Sequence, residues 1–227
     1  MNADIPGPSQ FAGDALLDEM RHRQRPLVFL LSGPSGVGKD SVAAALKGAP
    51  EEGGLDHIRV IVTATTRERR EGEEHLVDYE FMSRDDYLQR LTEGYFLENA
   101  AVYGSDKLYG VPRHRVIGAL NEGDNALIKI DVQGAATLKQ LLPQSVTIFL
   151  APESVDALRD RLERRNTDDP VAVSRRLRTA ISELDRSVGF DYIVVNESGK
   201  LPETVRRIRA IITAERLKNS MMLPPRL

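Results

Sequence analysis

The chain has 227 residues, 41% of them hydrophobic and 29% charged, a balance that suits a folded protein and excludes disorder throughout. A formal net charge of -3 offers no field for nucleic acid, and the absence of cysteine removes disulfides and thiolate metal sites. The longest apolar run, 27–31, falls far short of the roughly 20 residues of a membrane helix, so no membrane and no nucleic acid is expected as a partner, and a cytoplasmic location is.

Residues 1–26 are polar, carry Asp4, Asp14, Asp18 and Glu19, and read as a flexible arm rather than a signal or transit peptide. A short apolar run over 27–32 predicts a buried strand, followed by a glycine-rich turn and a helix over about 39–47. Residues 58–63 predict the next strand. From 64 to 111 the apolar runs shorten and become aromatic and polar. Ser83, Arg84, Asp85 and Asp86 look like a helix start there, with Gly94 its end. This stretch reads as an inserted α+β subdomain.

Alternation resumes with a strand over 127–131 and a helix carrying Leu138, Leu141 and Leu142, stopped at Pro143. Strands over 146–150 and 192–195 follow. Their helices carry Val155, Leu158 and Leu162 in one case and Val205, Ile208 and Ile212 in the other. An arginine-dense interruption over about 159–176 contains the cap pair Asp169–Pro170, then Val173, Leu177, Ile181, Leu184 and Val188 at helical spacing. Residues 219–227 read as a tail. Strands alternating with helices predict an α/β fold, a parallel sheet covered on both faces. Its core spans 27–63 and 112–218, with the subdomain and a small lid inserted.

Gly33, Pro34, Ser35, Gly36, Val37, Gly38 and Lys39 follow a strand and open a helix, the context of a phosphate-binding loop. Its glycines let backbone N–H groups converge on phosphate oxygens, the helix N-terminus adds its dipole, and Lys39 adds a point charge. One position departs from the pattern: Asp40 stands where Ser or Thr usually helps hold Mg²⁺, and Ser41 comes one place later. Asp40 through water, or Ser41, would take that role.

Downstream, Arg67, Arg69 and Arg70 precede Tyr79 and Phe81. Arginine suits phosphate because its planar fork stays ionised and donates paired hydrogen bonds; taken alone, the segment reads first as a solvated charged loop. Residues 63–81, Phe96-Leu97-Glu98, Tyr109-Gly110 and Ile130-Asp131-Val132-Gln133-Gly134 together resemble the guanylate kinase family in order and approximate spacing, over about 27–217. Thr65-Thr66-Arg67, Arg70, Gly72-Glu73 and the Asp78-Tyr79 and Phe81 that follow carry the most specific part of the likeness.

The resemblance implies a P-loop nucleoside monophosphate kinase that moves a phosphoryl group from ATP to GMP or dGMP, with Mg²⁺. It implies that ATP lies on residues 33–41, with Arg165 from the lid. Arg67, Arg70, Tyr79 and Tyr109 would hold the phosphate of GMP. Thr63 keeps a hydroxyl where the family often has Ser. Glu98 and Asp131 would meet the guanine, whose N1 and N2 donors suit acceptor-only carboxylates. Among the lid arginines Arg161, Arg165 and Arg176, the last two would join Lys39 and Arg70 in stabilising the transfer. No base is required, because the accepting phosphate oxygen is ionised near neutral pH.

Three features depart from the family: Val111 replaces a Ser or Thr, Lys129 replaces an acidic residue, and the segment before Tyr109 is longer, so Tyr103 or Lys107 could share its role. His22, His57, His75 and His114 lack metal-ligand spacing and read as surface or structural. Two rivals share parts of the pattern. A ribose bisphosphate phosphokinase also carries Gly-Lys-Asp-Ser but has no call for Glu98 and Asp131. An inactive guanylate-kinase-like binding module would be expected to lose the loop and to travel with accessory domains.

Overall fold

The structure, a computed structural model, describes residues 25–47, 57–101, 106–164 and 170–218. The chain runs β1 (Val28–Ser32), α1 (Lys39–Leu46), β2 (Ile58–Val60), β3 (Ala64–Thr65), β4 (Glu80–Phe81), α2 (Arg84–Thr92), β5 (Phe96–Ala101) and β6 (Leu108–Pro112). It continues through α3 (Arg113–Asn121), β7 (Asn125–Lys129), α4 (Val132–Leu141), β8 (Val146–Pro152) and α5 (Val155–Arg164). Then come α6 (Pro170–Asp185), a 3-10 turn (Arg186–Gly189), β9 (Tyr192–Asn196) and α7 (Leu201–Leu217).

Side chains alternate across a strand, and β1 buries both sets. Phe29 and Leu31 meet Val42 and Leu46 of α1 and Ile208 and Ile212 of α7, while Val28 and Leu30 meet Val116 of α3 and Leu138 of α4. Burial on both faces explains the unbroken apolar run. β1 is therefore central in a parallel sheet of order β2-β7-β1-β8-β9, as the α/β reading requires. Open parallel sheets bind ligands beyond the carboxyl ends of their strands. Here that edge carries the glycine-rich loop, Lys129 and Asp131.

A second sheet, of order β4-β3-β6-β5, is built from the segment with short aromatic runs. Its small core stacks Tyr87 of α2 on Phe96 at 4.5 Å and includes Ala64. Ser83 caps α2 as its sequence suggests, its hydroxyl oxygen accepting from the N–H of Asp86 at 3.1 Å. Glu80 ties this sheet to its surroundings: buried, it accepts from Arg90 at 2.8 Å, from Tyr95 at 3.0 Å and from Arg115 at 3.3 Å.

Several boundaries differ from the sequence reading. β2 stops at Val60 rather than at 63, because the chain leaves the core sheet after the N–H of Ile61 bonds Leu127 O, and the carbonyl of Thr63 already accepts from Glu80 in the second sheet. β7 starts at Asn125 rather than 127. The buried Asn125 side chain accepts from the N–H of Leu27 at 3.0 Å and donates to His57 O at 2.8 Å, so it serves as a polar joint between strands. At its other end Asp131 is outside the strand, because it caps α4. Helix α6 ends at Asp185, so Val188 lies in the 3-10 turn and is 87% exposed. Residues 1–24 of the arm read over 1–26, the tail over 219–227 and Asp169 lie outside the described residues.

Candidate functional site

β1 delivers the chain into a loop whose first residue must be glycine. A Cβ on Gly33 would lie 2.3 Å from the carbonyl oxygen of Leu150, and its φ is 140°. At the far end Gly38 caps α1 in the left-handed region, φ 103°. The Lys39 ammonium folds back to donate to Gly33 O, and to Pro34 O at 3.1 Å. The carbonyl of Val37 accepts from Asn196 Nδ2 at 2.8 Å and from Arg161 at 3.2 Å. Arg161 also reaches Asn196 O at 2.8 Å and Ser198 Oγ at 3.0 Å. This arginine, grouped by the resemblance with the lid, thus braces the loop against β9. Pro34 is buried and Gly36 half-buried, whereas Ser35, Asp40 and Ser41 are exposed.

Opposite the loop, Arg67, Tyr79 and Tyr109 converge. The Arg67 guanidinium lies 5.4 Å from the Tyr79 ring centre and 5.6 Å from that of Phe81. It pairs with Glu73 at 2.7 Å and also faces the Tyr109 hydroxyl. The Tyr79 and Tyr109 rings meet edge to face at 6.2 Å, and the Tyr87 hydroxyl fixes the Tyr109 carbonyl at 2.7 Å. Tyr109 therefore stands with the cluster despite the longer preceding segment; Tyr103 lies outside the described residues, and Lys107 pairs with Asp106 at 3.2 Å. Burial pushes Glu73 up, but Arg67 and the N–H of Arg70 outweigh it and hold its carboxyl below the usual range. Burial pushes the Tyr79 hydroxyl well up, helped by the charge of Asp40, which places this cluster beside α1. The Arg70 side chain is exposed, its backbone pinned by the N–H bond to Glu73 at 2.8 Å.

Two carboxylates lie near each other, one on β5 and one at the start of α4. Glu98 of β5 is 6% exposed, and burial and the charge of Asp131 push it up to about 7. Asp131 caps α4, Oδ1 accepting from the N–H of Gln133 at 3.0 Å and of Gly134 at 2.8 Å, which fixes its orientation. Gly134 is where close packing requires a glycine: a Cβ there would sit 2.5 Å from Ile130 and 3.0 Å from Glu98 Oε1. Thr63 is buried. Val111 is also buried, opposite Glu98 in the β5–β6 register, where it packs into the core beside β1 and α3.

Two side chains of this edge have contacts that sequence reasoning missed. Lys129 Nζ lies 2.9 Å from Asp40 Oδ1, joining two positions noted only as separate departures. Glu183 of α6 reaches the loop, taking the N–H of Ser35 and lying within the field of Lys39 and Asp131. Burial pushes its carboxyl up, and its Oε2 is buried without a hydrogen-bond partner. Arg176 is half-buried on the same helix two turns earlier, while Arg165 lies outside the described residues. His57, His75 and His114 are exposed, and among the described residues no three of His, Cys, Asp and Glu gather. Asp40 and Ser41 beside Lys39 are the side-chain oxygens that would face a Mg²⁺ ion, a sparse set that would fit an ion held mainly by nucleotide phosphates. Among the described residues no helix is long and apolar enough to cross a membrane.

The guanylate kinase family model matches residues 23–215. The chain is 38% identical over 201 residues to the guanylate kinase of Shouchella clausii, covering 88% of this chain and 94% of that one. It is 38% identical over 190 residues to the guanylate kinase of Alcanivorax borkumensis, covering 84% and 87%. Among solved structures, guanylate kinase from Anaplasma phagocytophilum superposes with a TM-score of 0.69 at 32% identity, covering 86% of this chain and 88% of that one. Matches over most of the chain at these identities show that the chain belongs to the guanylate kinase family.

Proposed function

We propose that the chain transfers the terminal phosphoryl group of ATP to GMP, and to dGMP, with ATP on residues 33–41 and GMP on Thr63, Arg67, Arg70, Tyr79, Glu98, Tyr109 and Asp131. The observation that carries the reading is the buried Glu98 beside Asp131, on the strand next to the one that gives Tyr109 to the Arg67–Tyr79–Tyr109 cluster. Carboxylates accept the N1 and N2 donors of guanine. AMP lacks that donor pair and would leave them unmet, at roughly 1–3 kcal/mol per buried group.

Lys39 turns from the loop carbonyls to the outer phosphates. Arg67 and Arg70 hold the acceptor phosphate, with Tyr79 and Tyr109 donating from the other side. Arg176, with Arg165, meets the charge shared by the donor and acceptor oxygens during transfer. Asp40 or Ser41 would hold Mg²⁺, directly or through water, and the ion would neutralise phosphate charge. The accepting oxygen needs no base.

The test measures ADP release from ATP–Mg²⁺ with GMP, dGMP, AMP, UMP and ribose 1,5-bisphosphate as separate acceptors. Turnover confined to GMP and dGMP is expected. Turnover with the sugar bisphosphate but not with GMP would overturn the acceptor assignment. Binding of GMP without turnover would turn the reading toward a binding module.

A further inference from the structure

Lys129 is the last residue of β7 and lies beside Leu31 of β1, at the edge where the phosphate loop departs. Its side chain is 13% exposed, against 62% for Asp40. Its ammonium is 2.9 Å from Asp40 Oδ1 and 5.2 Å from the centre of the Tyr79 ring. Stability alone gives little reason for this placement. A mostly exposed carboxylate returns little for drawing a lysine out of water, because its own charge is screened.

The position has a reason if a phosphate is the intended partner. Asp40 follows Lys39, which covers the loop carbonyls, so the Asp40 end of the contact is on the donor side. Tyr79 shares its ring with Arg67 and stands edge to Tyr109, so the other end is on the acceptor side. An ammonium that touches both lies where a phosphoryl group crosses between them. Charge placed in advance at such a point lowers the barrier without reorganisation.

Resting on the functional reading above, we infer that Lys129 contacts the phosphoryl oxygens between donor and acceptor, and that Asp40 is the positioning residue that holds its ammonium there. The bonds made and broken are those of the family reaction. Lys129 adds charge and neither gives nor takes a proton.

The experiment compares the parent with Lys129→Met, Lys129→Arg and Asp40→Asn. It reads kcat and KM for GMP, and the calorimetric Kd in EDTA for adenosine and guanosine joined by a pentaphosphate, with ADP and GMP alone as references. Lys129→Met is expected to lower kcat by about tenfold or more and to weaken the linked compound more than either nucleotide alone; Lys129→Arg recovers most of both. Asp40→Asn, at an exposed position, weakens the linked compound in EDTA, where a metal role of Asp40 cannot contribute, while leaving the Kd for GMP alone unchanged. It carries the test if Lys129→Met fails to fold. Values within about twofold of the parent for Lys129→Met, or an unchanged Kd for the linked compound for Asp40→Asn where that variant stands in, would overturn the inference. A parent that does not turn over GMP would instead overturn the functional reading.

Discussion

The Glu98 carboxyl is buried beside Asp131 and titrates near neutrality, pushed up to about 7, so its charge should govern how GMP binds across the physiological range. A group of that kind is about one-tenth ionised near pH 6 and about nine-tenths ionised near pH 8. Guanine offers donors at N1 and N2 and therefore selects the ionised form, so affinity should rise about ninefold over that interval. The phosphate of GMP adds its own dependence, with a second pKa of about 6. Glu98→Gln separates the two contributions. It keeps the phosphate's share, loses the carboxylate's, and weakens GMP by roughly 1–3 kcal/mol through the unmet amide group. Calorimetric Kd values for GMP between about pH 6 and about pH 8 give the slope for each protein. Equal slopes in parent and variant would refute the reasoning.

The same carboxyl marks stability. Above its ordinary value of 4.5 the unfolded chain gives up the proton, whereas the native state keeps it until about 7. The native state binds more protons in that window, so stability falls as pH rises through it and stays reduced above. The shift corresponds to about 3 kcal/mol, which Glu98→Gln would return at about pH 8 while matching the parent at about pH 4. Thermal melts at both ends of the window read this directly.

Other perturbations test separate parts of the site. Lys39→Ala should lower kcat by at least about a hundredfold in the ADP-release assay. A loss within a factor of about two would remove Lys39 from the phosphate clamp. Arg67→Ala removes a charge-assisted contact of about 1.5–3 kcal/mol, so KM for GMP should rise roughly 10- to 150-fold while KM for ATP holds. Gly33→Ala drives a methyl group into the Leu150 carbonyl at a strained φ, and should cost about 3 kcal/mol or more by denaturant melts.

The phosphate loop was legible because its spacing, its glycines and the apolar run before it all follow from local chain geometry. Arg67, Tyr79 and Tyr109 were legible only as a family pattern, and the fold brings them within about 6 Å of one another through strands β3, β4 and β6. Contacts between elements distant in sequence left no such trace. Nothing periodic marks Glu183 as the residue of α6 that turns to Ser35, or Lys129 as the partner of Asp40. Asp131 shows why strand ends are hard to read: its apolar neighbours suggest strand, yet its carboxylate satisfies the first N–H groups of the next helix. Val188 keeps the helical spacing of α6, but spacing cannot report that the helix tightens to a 3-10 turn first.

Arg161 and Asn196 both hold the Val37 carbonyl, and Asn196 is itself held by Thr204 Oγ1 at 2.9 Å. The phosphate loop is therefore shaped by the far edge of the sheet before any nucleotide arrives, and its ordering entropy belongs to folding rather than to binding. ATP meets a loop backbone already in place, with the Lys39 side chain left to turn, and substitutions at Asn196 should lower nucleotide affinity through the shape of the loop.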